Sequence, residues 1–175
     1  DRPDGAVRII AIATETAAAI FHAGTYRGAS GRLAGLAWGG EDLAADIGAS
    51  ANRDAEGRWL EAFRYARTVN LLAAAAAEVA PIDTVSVDFR DMERLAAECA
   101  EAARDGFTAK MAIHPAQVPV INAAFTPSEA ALAEARAIVE AFRAAGDAGV
   151  IGIAGKMYDR PHLRQAERLL GRAGR

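Results

Sequence analysis

The chain lacks the features that mark several large protein classes. It has one cysteine, Cys99, so no internal disulfide can form. The helical pattern around Cys99 suits a small buried hydrophobe better than a nucleophile, and a reducing cytoplasm fits that usage. No apolar run reaches the roughly 18 residues of a membrane span; "LLAAAAAEVA" is short and meets Glu78 and Pro81. The N-terminus, "DRPDGAVRII", is no signal peptide, and it has no initiator methionine. Basic excess is missing as well. Twenty Lys and Arg against 23 Asp and Glu give a net charge of −3, which provides no cationic face for nucleic acid or for a membrane surface. A Gly-rich phosphate loop, Cys/His zinc spacing and a Ser-His-Asp arrangement are all absent.

What is present is a chain of 175 residues, 52% hydrophobic and 25% charged, long enough to bury a real core. "VRIIAIAT" (7–14) has the β-branched apolar composition of a strand, and "ETAAAIFHAG" continues as a helix ending at Gly24. The pattern repeats. "RLAGLAW" (32–38) precedes "GGEDLAADIG" and a helical segment over 58–80; "DTVSVDF" (83–89) alternates like a third strand before a helix capped by Asp91 and Gly106; "AKMAIHP" (109–115) is a fourth strand before a helix near 116–123. Four strand-helix units in succession predict an α/β fold with a parallel sheet and outer helices. From Thr126 the chain turns helical, with Thr126 or Ser128 as cap, and a last helix covers about 160–172. Residues 1–125 thus form the βα region and 126–175 a C-terminal helical extension.

A polar group stands where each strand ends: Glu15, then Glu41 and Asp42, then Asp88, then His114. In a parallel βα array these ends share one face, where such folds place their chemistry. Glu15 and Asp42 are the sharpest pair, because two carboxylates on adjacent strand ends repel unless a cation such as Mg²⁺ lies between them. The alternative is that both are helix N-terminal carboxylates favoured by the helix dipole. Gly39 and Gly40 allow a tight turn, so that the N–H groups of Glu41 and Asp42 can address a substrate carboxylate. His114 reads more simply as structural, Asp91 as a cap, and Arg64 and Arg67 as the solvated face of their helix. Near the end, "GKMYDRPHLRQAERLL" gathers Lys156, Asp159, Arg160 and His162, and Asp159 before Pro161 reads locally as a helix start.

"IIAIATETAAAIF", "RLAGLAWGGEDLAADIGA", "ARTVNLLAAAAA", "IDTVSVDFRD", "DGFTAKMAIHPAQVPVINAAFTPS" and "GKMYDRPHLRQAERLL" together resemble the citrate lyase beta subunit family, in the HpcH/HpaI aldolase group. The motifs occur in order from about residue 7 to 172. The resemblance implies a (β/α)8 TIM barrel that binds Mg²⁺ and cleaves or forms a carbon-carbon bond in a citryl-, malyl- or citramalyl-type 3-hydroxyacyl-CoA. It implies Glu15 and Asp42 as metal ligands, the backbone at Gly40, Glu41 and Asp42 as the holder of the keto-acid carboxylate, and Asp159 as the acid that protonates the enolate carbon. It also implies a homotrimer or hexamer in which the C-terminal segment reaches a neighbouring copy.

By that resemblance the motifs match strands five to eight. The acidic "LEDAV" motif, the arginine of "RVN" and much of the CoA site belong to strands one to four and do not occur here. Such a half-barrel has unpaired sheet edges, which leads us to expect that this chain is the C-terminal part of a longer protein. Ala109 stands where the family usually has Gly. Two other readings stay open on the same scaffold: a CoA thioesterase, and a non-catalytic CoA-binding or scaffold subunit.

Overall fold

The structure of the protein is a computed structural model that describes Pro3 and residues 5–174. It comprises two compact units, Asp1–Phe125 and Thr126–Arg175.

In the first unit, β1 (Ile9–Ile12) leads to α1 (Ala17–His22) and a 3-10 turn, β2 (Leu33–Ala37) to α2 (Gly40–Ile47) and α3 (Glu61–Ala76), β3 (Ala80–Asp83) to α4 (Met92–Asp105), and β4 (Ala109–Lys110) to a second 3-10 turn and α5 (Val118–Phe125). The four strands are parallel and ordered β1-β2-β3-β4, so every crossover steps the same way. Helix α3 buries Phe63, Ala66, Asn70, Ala73 and Ala74, positions that fall on one helical face. The alanines let it approach the sheet closely beside Ala13 and Leu36. A second cluster joins Trp38, Leu43, Phe63, Ala66, Ala102 and Phe107. Cys99 is fully buried against Leu95 and Ile121, and burial pushes its thiol pKa up, as a small core residue requires.

Several sequence expectations change. The third strand is 80–83 and not 83–89. Beyond Asp83 strand β3 loses its partner, since β4 has two residues and the last ladder bond runs from Met111 N–H to the Asp83 carbonyl (2.9 Å). Gln117 then draws the chain aside, its Nε2 donating to the Ser86 carbonyl at 2.9 Å. Thr84 and Ser86 are buried, while Val87 and Phe89 face outward, the reverse of the apolar alternation. Strand β1, apolar in composition, is not covered by the outer helices on both faces: Ile9, Ile10 and Ile12 are exposed at a sheet edge.

Arg67 is the third change. It is not on a solvated face, for its side chain is only 14% exposed and donates to Asp83 (3.3 Å) and Asp105 (2.7 Å). Asp83 is a hub that also accepts from Trp38 Nε1 (2.7 Å) and Lys110 Nζ (3.3 Å). Lys110, 1% exposed in its side chain, lies as close to Glu98, which in turn pairs with Arg53 (2.8 Å) and Arg94 (3.3 Å). Buried Asp83 and half-buried Glu98 each have at least one cation beside them, the condition under which burial of charge is tolerated. Arg64 is exposed and pairs with Glu61, as its helix position implies.

In the second unit, α6 (Glu129–Ala145) is capped by Ser128, whose Oγ accepts from Ala131 N–H. A hairpin that the glycine-rich sequence had concealed follows: β5 (Val150–Ile153) and β6 (Lys156–Asp159) are antiparallel and joined by Ala154-Gly155, both at positive φ (48° and 80°). Helix α7 (Arg160–Ala173) closes over α6 and the hairpin through Ala135, Ile138, Phe142, Ala166, Ile151 and Leu163.

Candidate metal and substrate site

Strand β1 runs into buried Ala13 and Thr14, with Ala13 N–H bonded to the Ala37 carbonyl (2.7 Å). Glu15 therefore leaves the sheet level with the end of β2. It does not cap α1. That role belongs to Thr16, whose hydroxyl accepts from Ala19 N–H (3.2 Å), while Asp46 accepts from Ala17 N–H (2.8 Å). Asp42 lies in the first turn of α2. The two carboxylates meet over Gly39, where an added Cβ would sit 3.0 Å from Glu15 Oε1 and 3.5 Å from Asp42 Oδ2. Burial, and then the Asp42 charge beside it, raise the Glu15 carboxyl above its ordinary pKa. Neither carboxylate forms an ion pair among the described residues.

Helix α2 begins at Gly39 with no side-chain cap, which leaves its first-turn amides for an external acceptor. Gly40 has a packing reason: its Cβ would come within 2.9 Å of the Trp59 ring. Glu41, the other acid of that turn, faces elsewhere. Its Oε1 accepts from Asn52 Nδ2 at 2.7 Å, and it lines a cavity of about 150 Å³ with Asn52, Arg53, Ser86, Asp88 and Arg94.

Asp88 and His114 do not join the pair. With β3 ending at Asp83, Asp88 falls in a loop and accepts from its own Arg90 N–H (3.1 Å). His114 stacks on Phe89, and its Nδ1 accepts from Ala116 N–H (3.1 Å), a structural role. Asp91 caps α4 through Arg94 N–H (2.9 Å). Among the described residues no three His, Cys, Asp or Glu side chains form a metal cluster. Two hard oxygen donors without a cation suit Mg²⁺, which binds few carboxylates and keeps its remaining positions for water or substrate.

Asp159 lies in the second unit as the N-cap of α7. His162 is its partner twice over, since Nδ1 faces both the Asp159 Oδ1 and the Asp159 backbone N–H (3.2 Å), and a neutral ring serves one of them at a time. The bond from His162 holds the Asp159 carboxyl below its ordinary pKa.

Residues 4–115 match the family described as HpcH/HpaI aldolase/citrate lyase, and residues 60–175 match the carbon-carbon bond lyases of the TIM-barrel fold. The chain belongs to the HpcH/HpaI aldolase/citrate lyase family. It is 41% identical over 140 residues to a citrate lyase subunit beta-like protein of Mycobacterium tuberculosis, covering 80% of this chain and 50% of the relative. It is 36% identical over 140 residues to the mitochondrial citramalyl-CoA lyase of Rattus norvegicus, covering 79% and 40%. The fold is similar, with a TM-score of 0.74 and 38% identity, to the M. tuberculosis protein CitE crystallised with magnesium, acetoacetate and coenzyme A, over 91% of this chain and 59% of that one. The chain thus spans about half the length of the relatives it matches. No helix among the described residues is long and apolar enough to cross a membrane.

Sequence reasoning missed Asn52 and the Asp83 network. Asn52 sits in an ordinary polar loop with no motif around it. Asp83 and Lys110 read as the edges of strands, and only their burial reveals the ion pairs.

Proposed function

We propose that this chain supplies the metal and keto-acid side of a Mg²⁺-dependent carbon-carbon lyase. The substrate is a 3-hydroxyacyl-CoA of the citryl-, malyl- or citramalyl-CoA type, cleaved to an acyl-CoA and a keto acid. The meeting of Glu15 and Asp42 over Gly39, with no cation among the described residues paired to them, carries this reading. Glu15 and Asp42 hold the metal, and Mg²⁺ supplies Lewis acidity toward the hydroxyl and carboxylate oxygens of the substrate. The first-turn amides of α2 at Gly40, Glu41 and Asp42 fix that carboxylate. Asp159 transfers the proton at the carbon next to the thioester, in the site of another copy of the chain within a cytoplasmic homo-oligomer.

The stepwise strand order, the division after Phe125 and the coverage of about half of each relative support reading residues 1–125 as strands five to eight of a (β/α)8 barrel and 126–175 as its extension. The full-length protein provides the test. Glu15→Gln and Asp42→Asn should each weaken Mg²⁺, titrated calorimetrically, on the order of a hundredfold, with lyase turnover lost in parallel. Unchanged Mg²⁺ binding in both variants would remove the proposal.

One observation favours a second reading. Asp159 is held as a carboxylate by His162, which suits a base that directs water onto a thioester. Product analysis separates the two. A lyase releases a keto acid and a shorter acyl-CoA, and a thioesterase releases free CoA and the intact hydroxy acid.

A further inference from the structure

The first turn of α2 carries two acids, Glu41 and Asp42, on the helix start that is proposed to receive a substrate carboxylate. Left free, Glu41 has two unfavourable options: to repel the incoming carboxylate, or to join Glu15 and Asp42 as a third ligand and fill a position that the substrate needs. Neither happens. Asn52 Nδ2 donates to Glu41 Oε1 at 2.7 Å, and Glu41 lines a cavity to which Glu15 and Asp42 contribute nothing.

Asn52 is itself fixed. Its carbonyl accepts from Leu60 N–H (3.0 Å), and Arg53 next to it bridges antiparallel to Trp59. The Arg53 guanidinium lies 3.6 Å from the centre of the Trp59 ring, and it donates to the Gly57 carbonyl and to Glu98, both at 2.8 Å. Trp59 packs against Gly40, at the start of the same helix turn. The amide donor therefore rests on a short, tied hairpin, and the acid it holds rests on the helix that this hairpin supports.

We infer that Asn52 is a positioning residue that holds the Glu41 carboxylate out of the Glu15–Asp42 site, so that the site keeps two protein carboxylates and open metal positions. The inference rests on the proposed Mg²⁺ role of that pair. Removing the amide should let Glu41 enter. A third carboxylate raises the ligand charge and strengthens divalent binding, on the order of tenfold, while it competes with the substrate carboxylate.

The test uses the full-length protein and Mg²⁺ itself. Asn52→Ala should tighten Mg²⁺ on the order of tenfold in calorimetry without substrate, and raise KM by a similar factor with a smaller change in kcat. Adding Glu41→Gln to Asn52→Ala should return the Mg²⁺ affinity to near wild type, because no stray charge remains; a loop that had merely been damaged would not recover. Unchanged Mg²⁺ affinity in Asn52→Ala, or no recovery in the double variant, overturns the inference while the metal reading stands. If the wild-type protein binds no Mg²⁺, or binds it equally well without Glu15 and Asp42, the underlying reading fails and the inference falls with it.

Discussion

Two groups of carboxylates lie within the first unit and have opposite surroundings. Buried Asp83 and half-buried Glu98 lie among Trp38, Arg67, Lys110, Arg53 and Arg94, so each negative charge has a cation within 3.3 Å. Glu15 and Asp42 face each other with no such partner among the described residues, and burial, then the Asp42 charge, raises the Glu15 pKa. Compensated acids fix structure. Uncompensated acids that face each other lower their repulsion by keeping a proton or by taking up a cation, and the proposed Mg²⁺ would be that cation. The difference lies in position, since both groups use the same residue types.

The largest effect should come from breaking the compensated group. Asp83→Ala leaves Trp38 Nε1 unpaired and Lys110 and Arg67 short of an anion, and should cost about 3–5 kcal/mol in urea unfolding. Next comes the missing cation. Mg²⁺ at a hundred times its Kd should stabilise wild type by about 2.7 kcal/mol, read as a rise in Tm, and this increment should vanish in Glu15→Gln. A sharper variant is Glu15→Lys, which turns the open pair into a compensated one; it should leave the metal-free protein at least as stable and abolish the Mg²⁺ response. If Glu15→Lys unfolds the protein, the contrast drawn between the two groups is wrong.

Smaller effects follow from pH. The Glu15 carboxyl keeps its proton to a higher pH when folded than its ordinary value of 4.5. Its contribution is thus favourable at low pH and is lost as pH rises through the raised value. Without metal, stability should fall over that interval by less than about 1 kcal/mol, because the site is partly solvated, and saturating Mg²⁺ should flatten the slope. Asp159 has the opposite sign. Its carboxyl is lowered by His162, so its support of α7 is present above the ordinary Asp value of 3.8 and lost as pH falls through the lowered one. His162→Ala should shrink that acid limb, followed by circular dichroism of α7.

Much of the fold was legible because it depends on local rules. The βα alternation, Asp91 and Gly106 at the two ends of α4, Ser128 before α6, and the start of α7 at Arg160 follow from spacing and capping chemistry that neighbouring residues determine. Glu15 and Asp42 stood out for the same reason, each directly following an apolar run. The β5-β6 hairpin was hidden because its turn is Ala-Gly, and Ala rarely adopts positive φ. Strand β3 was misplaced because its limits depend on a partner, β4, too short to pair beyond Lys110.

By itself the sequence determined the βα alternation of the first 125 residues, the caps and the acids at two strand ends, since these need only residues within a turn or two of one another. Tertiary structure alone decided which charges are neutralised. Arg67, predicted to face solvent, and Lys110 became partners of buried Asp83 across 16 and 27 residues of chain, whereas Glu15 and Asp42 came together over a glycine without a cation from the described residues. Charge compensation depends on distance in space, and no spacing along the chain records it.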